Sequence, residues 1–322
     1  MLLMREQIRN KVEQIKTAET SVRNFINITR YQNDLLKNLD TWNQICSSLD
    51  TIGDTLCSIE DYLNGQYPKS IGLKYIYTYG ILQALFIQQD AMKNLSEAFD
   101  IKFDLSEQLT SIRNIRNSSI GHPTKNSVKG SIYFNYISRM TMSKEGFTLM
   151  RSYQQGKTEF KDVDLISILH EQLSDIHKSY DLLAKKLIEE DKKHRGNFMN
   201  NLLVDIFHSG MNYSFEKVSE GIYTRNSTQS SFFISMLQSI EKTYHKFEEA
   251  LRERKELNDY ILYDLNEYKH AISKILGYLS NENSEVKEVD ARIYLFYIRE
   301  QHKHFIQIAK EIDEEYRRES IK

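Results

Sequence analysis

Apolar residues recur at steps of three and four along most of this chain, and at steps of two along one stretch. Ile8, Val12 and Ile15 put one apolar side on a helix over residues 1–30. Glu6, Glu13 and Glu19 interrupt its basic residues, which favours a packing arm over a membrane-surface helix. Residues 31–64 carry the cleanest rhythm, with Leu35, Leu39, Trp42, Cys46, Leu49, Ile52, Leu56, Ile59 and Leu63 on one stripe. That spacing predicts a single long bundle helix, ended by Asn64-Gly65 and separated from the next element by Pro68. The following helix, about 71–99, is apolar on more than one side and should be central. A shorter helix starts near Leu105 and carries Leu105, Leu109 and Ile112 at helical spacing.

The period then changes. Ile132, Phe134 and Tyr136 alternate, as do Tyr133 and Ile137, and Phe147, Leu149 and Phe160 continue the alternation. Turn sequences at 143–146 and 154–157 separate the runs, so residues 131–163 predict three antiparallel strands. Asp164 is placed to cap a helix over 165–195, whose stripe holds Leu165, Ile168, Leu169, Gln172, Ile176, Leu183 and Leu187. His194-Arg195-Gly196-Asn197 reads as a joint. Beyond it come a short helix at 198–208, punctuation at Ser209-Gly210 and Glu220-Gly221, and one very long helical pattern over 229–279. The run 252–256 interrupts that pattern before Ile261, Leu265, Tyr268, Ile272, Ile275 and Leu279 resume it. A last helix, about 287–318, can fold back as an antiparallel hairpin. The heptad-like stripe of the 229–279 pattern, which starts with Phe233, Leu237, Ile240, Tyr244, Phe247 and Leu251, serves either the chain's own core or a coiled-coil arm for a protein partner.

The expected fold is therefore mostly α. A helical domain spans residues 1–195 and includes a small β element at about 131–163. A C-terminal helical region with a long hairpin spans 196–322. The 322 residues suffice for one large or two modest cores. The low count of 2 Pro and 12 Gly agrees with long helices. Cys46 and Cys57 share a helix face about 16 Å apart, too far to bridge, which fits a reducing compartment. The first residues lack the apolar core of a signal peptide. The longest apolar run, 81–87, is broken by Gln83 and is too short for a bilayer. A soluble cytoplasmic protein without a membrane partner is expected.

Polar chemistry concentrates at one helix end. Four positions after Ile112, where an apolar residue is due, stands Arg116. Asn117, Ser118, Ser119, Ile120, Gly121, His122 and Pro123 follow. Gly121 can act as a left-handed cap, and Pro123 pushes His122 out of the helical region. A permanent cation and a group titrating near neutrality then meet at a fixed corner. The helix C-terminus favours the charged form of His122, and Arg116 opposes it. Gln83 and Asp90, two turns apart on one helix face, either brace the Arg116 region or are ordinary exposed polar residues.

Arg116-Asn117 followed by His122, with five residues between Arg and His, resembles the Arg-polar-x(n)-His motif of the HEPN superfamily. The helix from Tyr75 to Phe99, with Tyr79-Gly80, Gln83-Ala84 and Gln88-Gln89-Asp90, is similar to the long helix that precedes the motif in bacterial members. The resemblance covers about residues 30–195. It implies a HEPN-like helical bundle and a metal-independent endoribonuclease, a defence or toxin-type effector. It also implies a homodimer in which two motifs face each other. Arg116 and His122 are then catalytic, with Asn117, Ser118, Ser119 and Asp90 supporting them. RNA cleavage by the ribose 2′-OH needs a base, an acid and a cation for the phosphate. None of these requires a metal or cofactor. The competing reading is that Arg116 caps carbonyls, His122 is a polar helix-end residue, and the chain is a non-catalytic scaffold.

Net charge is −2 for the whole chain, so no global field attracts nucleic acid. Residues 101–160 nevertheless carry nine cations against four carboxylates. Arg113, Lys125 and Lys129 are candidate RNA contacts, and Tyr133, Phe134, Tyr136 and Tyr153 could stack bases or simply fill a sheet core. Other motifs fail. Gly156-Lys157-Thr158 has Arg151 where a phosphate loop needs its first Gly. His170-Glu171 lacks the second His of a zinc-protease helix, and His302 and His304 point apart on their helix.

Overall fold

The computed structural model describes residues 2–121, 124–128, 131–154, 156–224, 229–281 and 285–318. The chain divides into two compact units, Met1–Ile26 with Asn38–Leu187, and Asn27–Lys37 with Ile188–Lys322. The described residues are mostly α-helical with one small antiparallel sheet. Among them, no helix is long and apolar enough to cross a membrane.

In the first unit, α1 (Leu2–Ile26) buries Ile8, Val12, Ile15 and Val22. The chain then passes through α2 (Thr29–Leu35), which belongs to the second unit. The single helix expected over 31–64 is therefore two. Asn38 Oδ1 accepts from the backbone N–H of Asp40 at 3.2 Å and Thr41 at 3.3 Å. That cap starts α3 (Leu39–Asn64) afresh. α4 (Ile71–Ala98) packs on α3 and buries Leu82, Leu85, Met92 and Leu95.

The next helix, α5 (Glu107–Arg116), starts later than expected. Ser106 Oγ caps the N–H of Leu109 at 3.1 Å and donates to Asp175 Oδ2 at 2.6 Å. Leu105 is left outside the helix, and the buried stripe runs through Leu109, Ile112 and Ile115. A π-helical turn, Asn117–Gly121, prolongs α5, so Gly121 does not take the left-handed conformation expected of it.

The sheet has four strands rather than three: β1 (Asn126–Val128), β2 (Ser131–Ile137), β3 (Gly146–Tyr153) and β4 (Thr158–Asp164). Their spatial order is sequential and every pairing antiparallel. Asn135 pairs across with Arg151, and Arg151 with Glu159. With period-two alternation these three share a face with buried Phe147, Leu149 and Val163. Asp164 Oδ1 accepts from the N–H groups of Ile166 and Ser167, both at 3.0 Å, and so starts α6 (Leu165–Gly196) as expected. The boundary between the units falls inside α6, at 187/188, rather than at its end.

The second unit packs α2 with α7 (Met211–Tyr223), α8 (Ser230–Glu253), α9 (Asp259–Leu279) and α10 (Glu288–Arg317). The helix expected at 198–208 is only a 3-10 turn at Val204–Ile206. Glu220 and Gly221 lie within α7; Gly221 is needed there because a Cβ would stand 2.6 Å from the Phe233 ring. The long pattern over 229–279 breaks into α8 and α9, with Lys255 at φ +61° and Asn258 capping the N–H of Ile261 at 2.9 Å. The heptad-like residues Leu237, Tyr244, Leu265, Tyr268 and Ile272 form this unit's own core. Arg30 of α2, only 2% exposed, pairs with Asp191 at 2.6 Å, Glu315 at 2.7 Å and Glu256 at 3.1 Å.

Candidate active site

The end of α5 is set by a buried amide chain beneath it. Gln88, Gln89 and Gln172 are fully buried on α4 and α6. Gln172 Nε2 donates to Gln88 Oε1 at 2.9 Å and to the Leu85 carbonyl at 2.8 Å. Gln88 Nε2 donates to Thr55 Oγ1 at 3.0 Å, and Gln89 Nε2 to Gln172 Oε1 at 2.7 Å. Gln89 Oε1 in turn accepts from Arg113 Nε at 2.8 Å. Buried amides are costly unless paired, and this set is paired into one network joining α3, α4, α5 and α6. Its outermost member, Arg113, also forms an ion pair with Asp90.

One turn on, Arg116 is held differently. Its Nε and Nη2 donate to Gln83 Oε1 at 3.0 and 2.8 Å, and its Nη1 to Asn117 Oδ1 at 3.0 Å. The guanidinium carbon lies 4.4 Å from the Phe86 ring centroid, and that of Arg113 4.3 Å from the same ring. Among the described residues no carboxylate pairs with Arg116. The amide oxygens orient the cation without neutralising it, and the aromatic face adds cation–π attraction. Gly121 belongs to this arrangement: a Cβ there would stand 2.8 Å from Arg116 Nη1 and 3.3 Å from Asn117 Oδ1.

The other expected residues separate. Ser118 is buried and its Oγ accepts from Arg151 Nη2 at 3.3 Å. Ser119 is 2% exposed, and its Oγ meets no partner among the described residues. Asp90 braces Arg113, and Gln83 is the residue that braces Arg116. Lys125 is exposed. His122 and Lys129 lie outside the described residues.

On the opposite side of α5, a cleft of about 750 Å³ separates the helix from the sheet face, lined among others by Asn114, Asn117, Tyr133 and Arg151. The sequence carried faint signs of this side and of the amide network. Gln172 stands in an otherwise apolar stripe, and Asn135 and Arg151 fall on strand positions that alternate with outward residues.

Compared with protein-family models, curated proteins and solved structures, the chain gives no significant match.

Proposed function

We propose that this chain is a metal-independent endoribonuclease of HEPN type, a defence or toxin-type effector that acts as a homodimer. The observation that carries the proposal is the Arg116 guanidinium. It is fixed by Gln83 and Asn117 and no described carboxylate neutralises it, the state a phosphate ligand requires. In the proposed reaction the ribose 2′-OH attacks the adjacent phosphorus and its proton passes to a base. The pentacoordinate phosphate gathers charge that Arg116 stabilises. The leaving 5′-oxygen takes a proton from an acid, leaving a 2′,3′-cyclic phosphate and a 5′-hydroxyl. His122, which the sequence places just after the π-helical turn, serves one proton transfer. The His122 of a second copy serves the other.

A surface on α4 supports the second copy. Gly72, Ile76, Gly80, Gln83 and Ile87 follow one another at steps of three and four. Ile76 is 64% exposed, Ile87 is exposed, and nothing lies within 4 Å of a Cβ built at Gly72 or Gly80. An apolar stripe with small residues suits close helix–helix approach, and Gln83 puts Arg116 beside it. Both cysteines are free thiols, compatible with a cytoplasmic setting. A second reading, a non-catalytic scaffold, draws on Val289, Ile293 and Phe296, which lie exposed along α10 and offer a helix face to a protein partner.

Incubating the purified chain with single-stranded RNA in EDTA tests the proposal. Cleavage by the wild type that is lost in both Arg116→Ala and His122→Ala is the expected result. Cleavage at the wild-type rate in both folded variants would replace the nuclease with the scaffold.

A further inference from the structure

We propose that the cleft between α5 and the sheet is a nucleotide subsite. It takes one nucleoside phosphate unit of an RNA strand, with the phosphate against Arg151. Arg151 is a half-buried cation already held in place. Its Nε donates to Asn135 Oδ1 at 3.2 Å, its Nη2 to Ser118 Oγ at 3.3 Å, and its guanidinium carbon lies 4.3 Å from the Tyr133 ring centroid. No described carboxylate lies within ion-pair distance of it, although Glu159, opposite it across the β3–β4 pair, lines the same cleft and acts on it electrostatically. The neighbouring Glu159 carboxylate is taken by Lys157 Nζ at 2.5 Å and by the Tyr153 hydroxyl at 2.9 Å.

The amide that holds Arg151 from below is itself buried. Asn135 is 4% exposed, and its Nδ2 has no acceptor among the described residues. Asn135 is not among the residues lining the cleft, so it serves the site by holding Arg151, and a phosphate entering there takes the place of Glu159 as the electrostatic partner of the guanidinium. The rest of the cleft suits the rest of a nucleotide. Its volume of about 750 Å³ lies within the range of small-molecule sites. Thr110, Ser111 and Asn114 line the α5 wall and offer neutral hydrogen-bonding groups to a ribose or a base edge. Glu107 lines the cleft at the start of α5 and Glu159 lines it beside Arg151, so phosphate is disfavoured at the Glu107 end, where no described cation faces it from α5, and competes with Glu159 for the guanidinium at the other.

Asn117 connects this cleft to Arg116. It lines the cleft, and its Oδ1 accepts from Arg116 Nη1 at 3.0 Å. A strand whose scissile phosphate lies on Arg116 therefore has a neighbouring nucleotide at the cleft mouth. This placement along a cleaved strand rests on the nuclease reading, whereas nucleotide binding at Arg151 does not.

The test is fluorescence anisotropy with a labelled, uncleavable 2′-O-methyl single-stranded oligonucleotide and the full chain. Wild type is compared with Arg151→Gln and with Thr110→Trp, which fills the cleft from an exposed position while keeping the guanidinium. Both variants should bind about tenfold more weakly or worse. Arg151→Gln should also lower the slope of log affinity on log salt by about 0.7, the value of one phosphate contact on a single strand. If Arg151→Gln does not fold, Thr110→Trp decides alone. Wild-type affinity in the folded variants overturns the subsite even if wild type cleaves RNA. Variant-sensitive binding by a chain that does not cleave RNA supports the subsite and rejects the nuclease. Adenosine 5′-monophosphate and inorganic phosphate are added as competitors. Displacement by the mononucleotide at concentrations no higher than the oligonucleotide's own dissociation constant would make a free nucleotide the ligand and overturn the strand assignment.

Discussion

Gln83 Oε1 accepts two hydrogen bonds from one guanidinium, from Nε and Nη2 of Arg116 at 3.0 and 2.8 Å. A side-chain amide in this role fixes direction without supplying negative charge, whereas the carboxylate of Asp90 neutralises Arg113 one turn away. Gln83→Ala should leave Arg116 present but mobile. Cleavage should fall on the order of 10²-fold, the cost of a misplaced catalytic group, with the helical circular dichroism unchanged. Gln83→Glu should fall comparably, because a new carboxylate would compete with phosphate for the cation. Rates within twofold of wild type in both variants would show that Arg116 needs no such support.

The α4 stripe gives an expectation for assembly. Ile76→Asp puts a charge in the middle of an exposed apolar row that includes Ile87. Sedimentation should show wild type as a dimer at micromolar concentration and the variant as a monomer, with RNA cleavage lost along with the dimer. A wild-type chain that sediments as a monomer while cleaving RNA contradicts the composite site.

Arg30 gives an expectation for stability. Its guanidinium is buried against Asp191, Glu256 and Glu315, and the rings of Tyr31 and Tyr316 lie 5.2 Å away. Burial pushes the Glu256 carboxyl above its usual range, although Arg30 opposes the shift. Removing one partner leaves buried charge unpaired, so Arg30→Ala should cost roughly 3–5 kcal/mol, read as a lowered urea midpoint. A loss below 1 kcal/mol would mean that water reaches the carboxylates.

His302 gives the second unit a pH dependence. Its Nδ1 meets the Tyr244 hydroxyl at 2.7 Å, and burial, with His208 adding a smaller effect, lowers its pKa from 6.5 to about 4. The folded chain therefore binds this proton only near pH 4, whereas the unfolded chain binds it near 6.5. Between those values the unfolded state holds more protons, so this group's contribution is present above pH 6.5 and is lost as pH falls toward 4. Urea midpoints measured across that window should decline, and His302→Leu should decline less steeply. Equal slopes would place the acid sensitivity elsewhere.

Much of the first unit was legible because its signals are local. Asp164 as a cap, the two-residue alternation of β2 and β3, and Arg116 on an apolar stripe are all read within a few residues. The helix break at 36–38 was harder to place, because the apolar rhythm continues in step across it, and the charged run 252–256 marked an interruption without showing that the helix ends there. Asn38 and Asn258 cap new helices there, and only tertiary packing shows that α2 serves the second unit. The inner-face pair Asn135 and Arg151 escaped for a different reason. Alternation of apolar residues finds the apolar part of a buried face and passes over polar residues that share it. The amide chain through Gln88, Gln89 and Gln172 was hidden in the same way.

The central claim is that Arg116 supports attack by the RNA's own 2′-OH. The most direct measurement compares two labelled oligonucleotides of one sequence in EDTA, one all-ribose and one 2′-deoxy at the nucleotide cleaved. The wild-type chain should cut the first, leaving a 2′,3′-cyclic phosphate seen by mass spectrometry, and leave the second intact at that position. Arg116→Ala should cut neither, with a loss of roughly 10²–10³-fold or more. Cleavage of the 2′-deoxy strand at the same position, or equal cleavage of the all-ribose strand by folded Arg116→Ala, would contradict the claim.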